Sequence, residues 1–282
     1  MPQIIISTTF RDFDKSMNDR MQMRFLHSLK SQTFQDFILV VTVFNEKKVD
    51  KVVKEILGDK AIIIYDHGCR KYKFSLSRTF MNGVDYGLEN HALILIDCSS
   101  DVILQENFLE IVRKRTGTLA AGISHPNVFR EKMSDGKKKY FYGSLNQGID
   151  VRFYSLDLFQ NIHVHNILNR FPSYDYGAGI EIILCGIAIK YATKRYNIFM
   201  ESKVLKEENA REMQAGMVIE GNNRNVPTSM RFIRSERISW KYAQLMELNR
   251  AYRVTKSAWL YWLWFGREIM YFYYDRIKKR GN

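Results

Sequence analysis

The side chains with the clearest chemical reach gather where apolar runs stop. The run beginning at Ile4 ends in Thr8, Thr9 and Arg11, whose hydroxyl and guanidinium groups suit contacts to a base or a phosphate. The run KAIIIYD ends at Asp66, and ALILID ends at Asp97 with Asp101 four residues on. Arg78 opens the helical stretch SLSRTFMNGVDYGL, where a guanidinium beside helix N-terminal amides could grip a phosphate bidentately. Metal-binding spacings of other kinds are weak. Cys69, Cys98 and Cys185 match neither a zinc site nor a disulfide framework, and His163 and His165 in HVH are two imidazoles without a third ligand nearby in sequence.

The elements that must position these groups alternate. Ile4 to Thr8 is β-branched, and Met17, Met21, Phe25, Leu26 and Leu29 then recur at helical spacing. DFILVVTVF, KAIIIYD and ALILID are further apolar runs, separated by the amphipathic VDKVVKEIL and by the helical stretch around Arg78. Continuous apolar strands alternating with helices predict a parallel α/β sheet up to about residue 110, covered on both faces. Ligands of such sheets bind beyond the C-terminal strand ends, which are Thr8 to Arg11, Thr42 to Asn45, Asp66 to Arg70 and Asp97 to Asp101. No GxGxxG follows the first strand and no GxxxxGK[ST] occurs, so a dinucleotide oxidoreductase and a P-loop enzyme are both disfavoured. Past Gly117 the pattern predicts short strands of a second layer, around a turn at Ser134-Asp135-Gly136. Ile180 to Thr193 reads as a helix followed by a strand, and Met200 to Val226 as polar loop and helix.

Composition sets the outer bounds. With 282 residues, 46% hydrophobic and 26% charged, the chain can bury a substantial core. Its 43 Lys and Arg against 30 Asp and Glu point to an acidic partner: a phosphate-bearing ligand, nucleic acid or an anionic lipid surface. Three cysteines without a disulfide pattern favour a reducing compartment, and the first residues read as a strand rather than a signal peptide. With four prolines and no Gly/Ser-rich linker, one main domain over residues 1–230 is expected, divided near residue 112, with an extension over 231–282.

Two stretches carry a resemblance. SLKSQTFQDFILVV, residues 28–41, and SLSRTFMNGVDYGLENHALILIDCSSDVILQENFLEIV, residues 75–112, resemble in the right order two signatures of family-two glycosyltransferases of the GT-A fold. The resemblance covers roughly residues 1–112. It implies a GT-A-like, Rossmann-like, mostly parallel sheet flanked by helices, which transfers a sugar from a nucleotide-sugar donor, with inversion. It implies nucleoside contacts at Thr8, Thr9 and Arg11, a phosphate contact at Arg78 and a donor-facing Asn82. It also implies a divalent cation, Mn or Mg, held on Asp97 and Asp101. The acidic motif departs from Asp-x-Asp, since Asp97-Cys98-Ser99-Ser100-Asp101 separates its carboxylates. Either the two converge on one ion from a looser loop, or binding is weak and basic residues take its place. The position that usually carries a base-reading Asp falls on Val43 or Phe44, leaving Asp66 as a candidate for the base. YDYGAGIEIILCG, residues 174–186, is similar to the region that carries the catalytic base, which makes Glu181 the first candidate and Asp175 the second.

The last segment is different in kind. Residues 231–282 hold twelve Lys and Arg against four acids, +8 of the total +13. AWLYWLWF and MYFYYDRIKKR interleave aromatics with bases in runs too short to span a bilayer, which suits an interfacial helix on an anionic membrane. The expectation is a peripheral, cytoplasmic enzyme at the inner membrane face, acting on a glycan or lipid-linked acceptor. Packing of that helix on the catalytic domain and an oligomer interface are the other uses of such a surface. A basic nucleic-acid-binding protein is the alternative from another class, unsupported by any recognised motif; a catalytically inactive GT-A-like partner subunit is a third.

Overall fold

The four apolar runs become β1 (Ile4–Thr9), β2 (Phe37–Val43), β3 (Ala61–Tyr65) and β4 (Ile94–Cys98), parallel throughout in the order β3-β2-β1-β4. The structure, a computed structural model, describes residues 2–10, 16–44, 49–66, 75–124, 126–129, 151–161, 184, 187–188, 191–198 and 204–207. Helices α1 (Ser16–Lys30), α2 (Val49–Leu57) and α3 (Leu76–Glu89) connect the strands. They cover both faces of the sheet, which is why the strands are aliphatic without alternation. Ile4, Ile6 and Phe10 pack with Phe25, Leu26 and Leu29 of α1 and Val49 and Val53 of α2. Ile5 and Val40 face the other way, onto Phe80 and Val84 of α3.

Helix α3 lies very close to β1. A Cβ at Gly83 would stand 2.5 Å from the Cβ of Ser7, so no larger residue fits without a shift of the helix. Ser7 Oγ closes the contact by donating to the carbonyl of Thr79 at 2.6 Å.

The later strands correct one expectation. After β5 (Val102–Leu104) and α4 (Phe108–Arg115) come β6 (Ala120–Ser124), β7 (Pro126–Phe129), β8 (Val151–Ser155), the short α5 (Asp157–Gln160), β9 (Lys194–Asn197) and β10 (Val204–Glu207). Strands β6 and β8 do not start a second layer. They enlarge the first sheet to seven strands, β3-β2-β1-β4-β8-β6-β9, with β8 antiparallel to both β4 and β6. The physical reason is the open edge of β4, which β8 closes while Val151 and Phe153 join the core that Ile94 and Ile96 already occupy. On the opposite face, Tyr154 and Phe159 form edge-on contacts with Phe80 at 5.8 and 5.5 Å between ring centroids. A small separate sheet has the order β5-β10-β7. Within Ile180 to Thr193, Leu184, Ile187, Ala188 and Tyr191 are helical, so helix stands where the pattern predicts a strand in the second half of that span, and β9 begins only at Lys194. Among the described residues no helix is long and apolar enough to cross a membrane; the segment 231–282 lies outside them.

Candidate functional site

The C-terminal ends of β1 to β4 meet along one edge. The register sets Ser7 beside Asp97, Thr9 beside Thr42, and Val43 beside Tyr65. Alternation along the strands then puts Ser7, Thr9, Thr42 and Asp97 on the face that α3 covers. Thr8 belongs to the other face, with Ile6 and Phe10. It is 1% exposed, and its hydroxyl has no hydrogen-bond partner among the described residues. Of the two expected nucleoside contacts in β1, only Thr9 shares the side of the sheet that carries the other polar groups.

The first turn of α3 brings its polar groups to this edge. Ser75 caps the helix, accepting from the Arg78 amide at 3.4 Å. Arg78 Nε donates to Asp66 Oδ2 at 2.5 Å, and the arginine side chain is 35% exposed while the carboxylate is 7%. The residues expected to read phosphate and base separately are therefore one ion pair, in which a buried carboxylate fixes a half-exposed guanidinium. One turn on, Asn82 Nδ2 donates to Thr42 Oγ1 at 3.1 Å, and Thr9 Oγ1 donates to the Thr42 carbonyl at 2.8 Å. These bonds stitch α3, β1 and β2 together at the point where a ligand would rest. Beside them, at the end of β3, partial desolvation and the Asp50 carboxylate that accepts its hydroxyl raise the Tyr65 phenol above its ordinary pKa.

The acidic motif is engaged differently. Asp97 on β4 stands directly opposite Arg152 on β8, and its Oδ2 accepts from Nε at 2.9 Å and from Nη2 at 2.5 Å. Both side chains are nearly buried. Asp101 lies in the turn before β5, where its Oδ1 accepts from Ser99 Oγ at 2.5 Å. No group of three or more Asp, Glu, His or Cys side chains among the described residues could hold a metal ion. At an effective dielectric of about 20, a divalent ion about 3 Å from a carboxylate gains roughly 11 kcal/mol. It loses roughly 7 kcal/mol to a guanidinium about 5 Å away. Most of the attraction at Asp97 is thus already cancelled, and a hard divalent cation needs about six oxygens. The described residues as arranged do not fit such an ion.

Arg11, Asp175 and Glu181 lie outside the described residues, as do His163, His165 and the basic aromatic tail. The structure adds two residues that sequence reading does not single out. Thr42 is the hub of the α3 stitch, and its only sequence signal is its place at a strand end. Arg152 has a stronger signal, a lone arginine inside the apolar strand VRFYS, but only the register gives it a partner.

The sequence matches no family model and no curated protein sequence. Solved structures do match. Staphylococcus aureus TarS is 12% identical over 89% of this chain and 44% of that one, with a TM-score of 0.52. Its residue 1–349 form is 9% identical over 92% of this chain and 73% of that one, at 0.51. That form of TarS has also been crystallised with UDP, in a structure 8% identical over 92% of this chain and 73% of that one, at a TM-score of 0.47. At these identities the likeness speaks for the fold alone, and the fold is GT-A-like.

Proposed function

We propose that this chain is a glycosyltransferase that takes a sugar from a nucleotide-diphosphate donor. The observation that carries the proposal is the polar edge of a GT-A-like sheet. There the ends of the parallel strands meet the capped N-terminus of α3, and a half-exposed Arg78 is held from behind by buried Asp66. A guanidinium fixed through Nε presents its terminal nitrogens as a fork, which is the geometry that grips a phosphate. Helix amides beside it add a fixed positive field at no cost in reorganisation. The Thr9–Thr42–Asn82 stitch holds that corner against the sheet, so the leaving diphosphate would meet donors already in place.

The remaining roles rest on the sequence resemblance. Glu181 is proposed as the base that deprotonates the acceptor hydroxyl, with Asp175 second, for an inverting reaction on a glycan or lipid-linked acceptor. The tail is proposed to bring the enzyme to the cytoplasmic face of an anionic membrane. The Asp97–Arg152 pair also favours a second reading, a donor-binding subunit without turnover, because the carboxylate expected to assist the leaving group is occupied.

Isothermal titration with UDP-, GDP-, CMP- and dTDP-sugars tests the binding, and donor hydrolysis tests turnover. One nucleotide class should bind, and Arg78→Ala should weaken it at least tenfold. If no nucleotide-sugar binds, the proposal fails; binding without hydrolysis or transfer selects the second reading.

A further inference from the structure

We infer that Arg152 is the resident cation of the acidic motif: it holds Asp97 as a fixed counter-ion, in the place where a divalent metal would otherwise sit. This rests on the nucleotide-sugar reading for its purpose, and on the ion pair alone for its chemistry. Three observations carry it. The register puts Arg152 directly across from Asp97, so the pairing is built into the sheet and not made by a mobile surface side chain. Two nitrogens of one guanidinium converge on a single carboxylate oxygen, at 2.9 and 2.5 Å, an arrangement that the single ammonium of a lysine could not reproduce. The strand that carries Arg152 is anchored by Val151 and Phe153, both fully buried, and Arg152 is itself buried, so its backbone is fixed beside Asp97 and its side chain is packed there.

The same arrangement accounts for the sequence of the motif. A metal-holding turn needs a second carboxylate close behind the first, and this chain has Ser99 and Ser100 there. Ser99 is hydrogen-bonded to Asp101, so the turn is closed by its own side chains. With a guanidinium supplying the positive charge, the second carboxylate has nothing to hold. The consequence is a donor site whose occupancy does not depend on divalent ions and does not respond to a chelator.

The test is a titration of the full chain with Mn²⁺, followed by electron paramagnetic resonance, for wild type, Asp97→Asn and the double variant Ser99→Asp/Arg152→Met, which removes the guanidinium and restores an Asp-x-Asp spacing. Wild type should show no saturable site that Asp97→Asn removes, and the double variant should gain one. A wild-type manganese site lost in Asp97→Asn overturns the inference. So does a folded double variant that binds no manganese, because the guanidinium and the missing carboxylate would then not be what keeps the ion out. Should the double variant not fold, the comparison of wild type with Asp97→Asn still decides. A second arm titrates the nucleotide-sugar panel in EDTA and in Mn²⁺. Equal affinity in both supports the inference, and binding only with Mn²⁺ overturns it. Binding in neither condition sinks the donor reading, while the manganese titration continues to judge Arg152.

Discussion

Two corners of the candidate site each pair an aspartate at a strand end with an arginine, and they are built for different work. At the β3–α3 corner Asp66 is buried and Arg78 is half exposed; at the β4–β8 seam Asp97 and Arg152 are both almost wholly buried. The first pair spends its carboxylate on orienting a guanidinium that still faces outward. The second spends its guanidinium on neutralising a carboxylate. Exposure, not residue type, decides which member can act on a ligand, because a solvated pair is worth little to stability while a buried one is costly to break.

Breaking the seam should give the largest effect. Arg152→Ala leaves Asp97 without its counter-ion in a nearly buried site, and should cost about 3–5 kcal/mol in urea unfolding. The double variant Asp97→Asn/Arg152→Met removes both charges, and should recover most of that loss. If Arg152→Ala is as stable as wild type, the seam is not buried as described and the contrast between the corners disappears.

The β3–α3 corner can be disturbed without touching the seam. Gly83→Ala puts a methyl group where Ser7 stands 2.5 Å away, so α3 must lift from β1 at a cost of about 1–3 kcal/mol. Because Arg78 and Asn82 ride on the same helix, nucleotide-sugar affinity should fall as well. A Gly83→Ala protein that is destabilised yet binds the donor normally would show that the α3 corner does not position the ligand.

Arg78→Ala sharpens the contrast from the other side. It should weaken donor binding tenfold or more, about 1.4 kcal/mol. It should also lower unfolding stability, because it leaves the nearly buried Asp66 carboxylate without its guanidinium. The double variant Asp66→Asn/Arg78→Ala removes both charges, and should recover the stability but not the binding. Recovery of both would put the two corners in one class.

How much of this is legible in the sequence follows from which contacts are local in pattern. Strands β1 to β4 and their parallel direction, though not their order in the sheet, are readable because each is a continuous aliphatic run between amphipathic helices, and burial on both faces writes itself into composition. The strand ends are readable for the same reason, so Thr9, Asp66 and Asp97 can be named in advance, and Arg78 from the helix start before β4. Their partners cannot. Asp66 meets Arg78 twelve residues on only because the chain turns back after β3 and lays α3 against β1 and β2, and Asp97 meets Arg152 across 55 residues through an antiparallel register that no local spacing encodes. Thr8 and Thr9 look equivalent as a dipeptide, and only the pleat separates a buried hydroxyl from one on the α3 face. The extra sheet strands are misread as a second layer because short runs such as LAAGIS and VRFYS say that they are strands but not which edge they join.

The smallest expected effect comes from a third ion pair that extends the comparison to the surface, where neither partner is buried. Glu110 Oε1 accepts from Lys114 Nζ at 2.6 Å on the surface of α4, and Oε2 accepts from Thr33 Oγ1 at 3.1 Å. The Lys114 hydrogen bond first, and that of Thr33 second, hold the carboxyl below its ordinary pKa. A lowered folded-state pKa means that the stabilisation is fully present above the unfolded value of about 4.3 and is lost as pH falls through the folded one. Glu110→Gln should therefore lower the melting temperature by about 1 °C at most at pH 7, with the difference from wild type shrinking in acid and in high salt. A difference that grew in acid would reverse the assigned sign. A shift as large as that of Arg152→Ala would mean that burial is not what separates these pairs, since here both partners stand in water and the surface pair would be doing what only the buried seam is built to do.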